Sequence, residues 1–137
     1  MAATFAFEIV SPERLLLSRP VEMAVIPAAL GEMGILPGHA PMILSLAGGV
    51  ISVYEGGQVT ERLFVMGGFA EVTPTRVTVL AEEALPVAEI TRAEAAKRVA
   101  EAEAAYAAAV AAGDNAAREV AMDRAIAARR MEAVAAG

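Results

Sequence analysis

The side chains with chemistry to offer are one histidine, four serines, an adjacent pair of glutamates and a set of arginines near the C-terminal end. A serine nucleophile needs an imidazole to take its proton and donors to hold the oxyanion. His39 stands at no telling spacing from Ser11, Ser18, Ser45 or Ser52, and no nucleophile-elbow pattern surrounds any of them. A lone histidine gives no His-based metal set, and the absence of cysteine excludes thiolate metal sites and disulfides. Glu82 and Glu83 are neighbours, and neighbours on a strand point to opposite faces, so they cannot share a substrate. They read as a solvated strand end. Gly48-Gly49, Gly56-Gly57 and Gly67-Gly68 fit turns between strands, and no GxxxxGK[ST] phosphate cradle is present.

The densest constraint lies in residues 31–41, GEMGILPGHAP, which hold three glycines, two prolines, Glu32 and His39. Glycine permits positive φ, while proline fixes φ and lacks a donor. The composition predicts a stiff, shaped loop with a short apolar insert, Ile35-Leu36, and neither regular strand nor helix. Within it His39 is suited to bond a loop carbonyl or a partner's backbone. Such a loop positions something, and what it positions decides the function.

The elements around it come in two kinds. Residues 4–85 read as β structure. Phe5, Phe7 and Ile9 alternate with Ala6 and Glu8, the period-2 pattern of a half-buried strand. Ser11-Pro12-Glu13 turns into a second strand with Leu15 and Leu17. Val21, Met23 and Val25 suggest a third. Further short strands follow at 42–46, 50–54, 59–66, 69–73 and 77–80, with a hairpin turn at Glu55-Gly56-Gly57. Many short strands at close spacing predict an antiparallel sandwich or barrel. Its expected core is Phe5, Phe7, Val25, Leu44, Val53, Val65, Phe69 and Val79.

Residues 91–137 read as two helices. Thr91-Arg92-Ala93-Glu94 fits a capping box, with reciprocal bonds between Thr91 and Glu94. The first helix runs to about Ala112, where Gly113 suits the position after its end. Asp114 or Asn115 caps a second that runs to about Val134. So short a connection makes them antiparallel. Their packing faces are thin: Val99, Ala102, Tyr106 and Val110 on the first, Val120, Ala127, Met131 and Val134 on the second. A buried methyl contributes only ~0.8 kcal/mol. A movable arm and a passive clip on the sandwich both fit this hairpin.

Composition changes near position 90. Between 91 and 137, 21 of 47 residues are alanine, so the 57% hydrophobic content overstates the core. Residues 1–90 carry 4 basic and 10 acidic groups, whereas 91–137 carry 7 of each. Two modules follow, 1–86 and 87–137. The net charge of −6 argues against a nucleic-acid binder. No apolar run reaches the ~18 residues of a membrane span. Met1-Ala2-Ala3-Thr4-Phe5 shows neither the basic region nor the apolar stretch of a signal peptide. The expectation is a cytosolic protein, or one seated peripherally on a larger body.

Three ordered stretches carry a resemblance. Phe7-Glu8-Ile9-Val10-Ser11-Pro12-Glu13, the 31–41 segment, and Gly67-Gly68-Phe69-Ala70-Glu71-Val72 followed by Val77-Thr78-Val79-Leu80-Ala81 are similar to the epsilon subunit of F-type ATP synthases. An Ala-rich hairpin follows in the same order, so the resemblance covers essentially the whole chain. It implies a ten-stranded antiparallel β-sandwich followed by an antiparallel two-helix hairpin. It implies a non-catalytic central-stalk rotor subunit, without cofactor, that couples proton flow to rotation. Its partners would be the gamma subunit and the c-ring, and through the hairpin the alpha and beta subunits. Its place would be peripheral, on the cytoplasmic face of a bacterial inner membrane. By the same resemblance Glu32 and Met33 face the c-ring, while Gly38, His39, Ala40, Pro41 and Met42 meet gamma. Arg124, Arg129 and Arg130 are the residues that would reach an acidic segment of beta and inhibit ATP hydrolysis, modestly at most because acids are interleaved. One departure stands out. The family's I-D-x-x-R-A nucleotide motif is here Ile90-Thr91-Arg92-Ala93-Glu94-Ala95. Thr91 replaces the acid and Glu94 the arginine, which removes favourable phosphate electrostatics and adds repulsion. No nucleotide site is expected. A free-standing binding module and a small β-sandwich hydrolase are the rival classes, the first distinguished by failure to co-purify with gamma, the second by activity lost on His39→Ala.

Overall fold

A computed structural model describes residues 3–135. Met1 and Ala2, on which the reading of the N-terminus partly rests, and Ala136 and Gly137 at the end of the second module lie outside them. Ten strands form one sheet folded on itself: β1 (Phe5–Val10), β2 (Leu15–Val21), β3 (Met23–Ala28), β4 (Gly31–Ile35), β5 (Met42–Leu46), β6 (Gly49–Glu55), β7 (Gln58–Val65), β8 (Gly68–Val72), β9 (Arg76–Ala81) and β10 (Ala84–Pro86). Their spatial order is β10-β7-β6-β3-β5-β8-β9-β1-β2, with β4 paired to β3. A short 3-10 turn, Val87–Glu89, leads to α1 (Arg92–Ala112) and α2 (Asn115–Val134). The sandwich and hairpin match the expected fold class, with one exception: β1 and β9 run parallel, not antiparallel. Parallel neighbours need a long crossover. Here everything between β1 and β9 supplies it, and the first strand is thereby held on both edges.

The 31–41 segment corrects the expectation of a wholly irregular loop. Residues 31–35 are a strand whose Gly31, Glu32, Met33, Gly34 and Ile35 face Ala28, Pro27, Ile26, Val25 and Ala24. Only Gly31, at φ 135, and Gly38, at φ 84, use the glycine-only backbone there. The other residues take an extended form, and β4 pairs on one edge only, so glycine weakens it without breaking it. Ile35 is fully buried; Leu36 is exposed. The true loop is residues 36–41.

Alternation explains the core. Phe7, Ile9, Ile26, Ile35, Ile51, Val53, Val65, Val77 and Val79 are completely buried, each large side chain contributing roughly 1.5–3 kcal/mol. Two expected core residues fall elsewhere. Val25 is only half-buried, because Glu22 interrupts the alternation between β2 and β3 and puts Ala24 and Ile26 inside instead. Glu22 gives its N–H to the Tyr54 carbonyl at 3.0 Å across that break. Phe69 is 57% exposed, since Ala70 and Val72 take the inward phase of β8.

The helix ends are set as expected. Thr91 Oγ1 accepts from the Glu94 amide at 3.1 Å, Gly113 closes α1 in the left-handed conformation, and Asp114 accepts from the Ala117 amide. The second half of the capping box is not made. The Glu94 carboxylate accepts from Arg98 Nε at 3.1 Å, one turn along the helix. The hairpin lies docked on the sandwich through a second apolar cluster of Phe64, Val87, Ile90, Ala95 and Met131. Among the residues expected to pack, Val110 and Val120 are instead exposed, and Ala95, Ala109, Ala121 and Ala128 take the buried positions. Small side chains let the two helices and the sheet approach closely.

Candidate functional site: an apolar sheet face beside the loop

Cross-strand register builds one exposed face. Ser45 on β5 faces Phe69 on β8, Phe69 faces Leu80 on β9, Leu80 faces Val10 on β1, and Val10 faces Leu15 on β2. Residues opposite one another point to the same side, so these five form a row across the sheet. Phe69, Leu80 and Leu15 are each more than half exposed, and Ile43, two residues before Ser45 on the same side, is 74% exposed. Ile43 stands in the next row, opposite Glu71, and the rest of that row is polar: Glu71, Thr78 and Glu8, with Arg76 Nε donating to Glu8 Oε1 at 3.1 Å. An apolar stripe with a polar border is the anatomy of a protein-binding surface rather than of a catalytic cleft.

The loop that precedes β5 lies toward the other end of these strands, beyond the polar row, because Met42 pairs with Val72 and Ser45 with Phe69. Gly38 N–H donates to the Pro74 carbonyl at 2.8 Å, tying the loop to the β8–β9 turn, and His39 N–H donates to the Leu36 carbonyl at 3.2 Å. His39 Nδ1 donates to the Ala40 carbonyl oxygen at 3.0 Å, an oxygen that can only accept. Ala40 and Pro41 are exposed, and Met42, which begins β5 opposite Val72, packs against the core. Glu32 and Met33 stand apart from that group, on the β3–β4 ribbon; Glu32 is exposed and Met33 packs against the core. Leu30 at the tip of the ribbon is fully exposed.

The arginines of α2 are partly engaged within the chain. Arg130 Nη1 donates to the Gly48 carbonyl at 2.8 Å, and Arg129 Nη2 to Glu103 Oε2 at 3.0 Å. Arg124 lines the cleft between the helices. Glu83 is not the solvated strand end expected of it: Arg98 Nη1 donates to its Oε1 at 2.8 Å, and Arg98 Nη2 to its second oxygen. That hydrogen bonding holds the Glu83 carboxyl below the usual glutamate range, against an opposing desolvation, and raises the Arg98 guanidinium further. Sequence reasoning missed this pair, and it missed the apolar row as well. Phe69 reads as core until the register places it outside.

Comparison with known proteins sets this geometry in a family. Residues 4–87 match the beta-sandwich domain of the ATP synthase delta/epsilon chain. The ATP synthase epsilon chain of Granulibacter bethesdensis is 66% identical over 100 residues, 73% of each chain. That of Rhodospirillum rubrum is 56% identical over 91 residues, 66% of this chain and 68% of the relative. The chain belongs to the epsilon-subunit family of the F-type ATP synthases. Among solved structures, a chain of the Euglena gracilis mitochondrial ATP synthase, described as OSCP/F1/c-ring in rotational state 1, superposes with a TM-score of 0.76 at 28% identity. It covers 97% of this chain and 82% of that one. A chain of the Tetrahymena thermophila central stalk and c-ring shares the fold alone, with a TM-score of 0.55 at 10% identity over 65% of this chain and 71% of that one. This epsilon-family chain has, among its described residues, no helix long and apolar enough to cross a membrane.

Proposed function

We propose that this epsilon-family chain is a non-catalytic rotor subunit of the central stalk, held peripherally on the cytoplasmic side of a bacterial inner membrane. The observation that carries the reading is the outward row Phe69–Leu80–Val10–Leu15, exposed except at the half-buried Val10, with exposed Ile43 in the row beside it. It offers gamma a flat apolar contact, and the loop residues Gly38, His39, Ala40, Pro41 and Met42 would extend that contact from beyond the polar row. A rigid sheet suits torque transmission, because a surface built on hydrogen-bonded strands deforms little. Glu32 and Met33 on the β3–β4 ribbon would meet the c-ring at another side of the sandwich. The sandwich, 1–86, does the coupling, and the hairpin, 87–137, is a regulatory module. Leu80→Asp tests the contact. Titration of purified gamma with the full chain should give a tight complex, and the variant should bind at least about tenfold more weakly, the cost of placing a charge in an apolar contact. Unchanged affinity would remove the sheet face from the interface.

Nucleotide binding by the hairpin is proposed to be weak or absent. Thr91 is used as a helix cap, and Glu94 and Glu83 both occupy Arg98. Millimolar ATP should leave the hairpin amide resonances of the isolated chain unmoved. Clear shifts along α1 and α2 would contradict this. Inhibition through Arg124, Arg129 and Arg130 is proposed to be modest, because Arg129 and Arg130 must first give up the bonds that hold them in the docked hairpin.

A further inference from the structure

β2 ends the sheet and pairs, among the described residues, with β1 alone. Its other edge carries backbone N–H and C=O groups without a ladder, a template on which a second chain can add a strand. The side chains of β2 oppose such an addition. Leu17, Arg19 and Val21 face Ile9, Phe7 and Phe5, all buried, so Arg19 holds an inward position between two core residues. Pro20 faces Ala6, whose N–H points away from β2 to the Thr75 carbonyl at 2.9 Å. Opposed residues of this kind turn their backbone groups away from each other. The Pro20 nitrogen therefore lies on the open edge, where proline supplies no donor.

The charge at position 19 is answered from the other layer of the sandwich. Glu61 on β7 faces the buried Val53, and Glu55 on β6 continues the inward series of Ile51 and Val53. Arg19 Nε donates to Glu55 Oε1 at 2.7 Å, and Arg19 Nη1 to Glu61 Oε1 at 3.5 Å. Thr60 Oγ1 donates to the same Glu55 oxygen at 3.1 Å, and at the adjoining corner Glu22 accepts from the Gly56 N–H at 3.0 Å. No backbone ladder joins β2 to β6 or β7 among the described residues, so side chains close this seam. Apolar residues at 19, 55 and 61 would complete the alternation of all three strands. The cluster is a poor source of stability: Arg19 and Glu55 are 35% and 34% exposed, and ion pairs open to water contribute little. Its effect lies in the arrangements it disfavours.

We propose that Pro20 and the Arg19–Glu55–Glu61 cluster keep a second copy of this chain from pairing along β2. Two such edges are self-complementary, since equal strands pair antiparallel about a twofold axis. Within one chain Arg19 meets both carboxylates across the seam. A strand added on the open edge enters the seam and parts them, leaving a cation and two carboxylates against apolar neighbours without partners. Apolar side chains at the three positions carry no such penalty.

The test uses the full chain. Replacing an ion pair with apolar residues of similar volume is often neutral for folding, so Arg19→Met/Glu55→Leu/Glu61→Leu should keep its β circular dichroism. In sedimentation velocity the wild type should stay monomeric, and the triple variant should form dimers or larger species as concentration rises. The Ser18 amide, two residues before Pro20 and pointing to the same edge, should exchange at least about tenfold more slowly in the associated form. Arg118→Met/Glu119→Leu/Glu132→Leu makes the same replacements at exposed helix positions and should stay monomeric. Arg19→Met/Glu55→Leu, which leaves Glu61 hydrated, carries the same expectations if the triple variant does not fold. A folded seam variant that stays monomeric overturns the proposal. So does association that leaves Ser18 exchange unchanged, or that the helix control or the wild type shows equally.

Discussion

Glu83 and Arg98 show how one pair can fasten a module. Arg98 sits on the second turn of α1 and Glu83 between β9 and β10, so their two bonds cross from hairpin to sandwich. The pair is too exposed for a large contribution by itself, but it adds direction to an apolar contact that is thin. The Glu83 carboxyl has its folded-state pKa lowered, chiefly by the Arg98 hydrogen bond. Its contribution to docking is therefore complete at neutral pH and is lost as pH falls through the ordinary glutamate range and then the lowered folded value. We expect amide protection factors in α1 to fall relative to the sandwich as pH drops from about 6 to about 3, values that straddle the glutamate range. Glu83→Gln should show the low-pH behaviour throughout, without that dependence. A variant with wild-type protection and the wild-type pH profile would show that the pair does not hold the hairpin.

The hairpin as an element is helical by composition and positioned by very little. Alanine gives it propensity, the Thr91 and Asp114 caps fix its ends, and one small cluster around Phe64 and Met131 holds it. Its ends were legible in the sequence because caps act locally: Thr91, Gly113 and Asp114 occupy the expected positions. The strands were legible for the same reason wherever period 2 ran unbroken, as in Phe5–Val10. What local pattern could not give was phase across an interruption. Glu22 turned Val25 outward, and β8 turned Phe69 outward, which made a presumed core residue into part of the candidate interface. The 31–35 strand was hidden because its glycines signal a turn, while the pairing that keeps it extended comes from β3. Glu83–Arg98 joins residues 15 apart through the tertiary fold, beyond any helix spacing. As to function, a docked hairpin whose Arg129 and Arg130 are engaged should inhibit weakly. Deleting residues 91–137 from the subunit in membranes should raise ATPase activity by less than about twofold, since two of the candidate cations it removes, Arg129 and Arg130, are already bonded within the chain. A rise of tenfold would show that the arm is released and inhibitory in the complex.

At the scale of the whole molecule, a sandwich with a large buried core carries an apolar stripe on one face and a ribbon bearing Glu32 at another side. In the proposed reading these surfaces have a common purpose: one would grip the shaft, and the other would rest on the ring that turns it. A rotor role of the kind proposed is measured in coupling rather than turnover. The most direct measurement is ATP-driven proton pumping in membranes whose synthase lacks the epsilon subunit, before and after adding this chain. Wild-type protein should restore pumping, and Phe69→Asp, which charges the centre of the stripe, should not do so at the same concentration. Equal restoration by Phe69→Asp, or none by the wild type, would contradict a coupling role through this face.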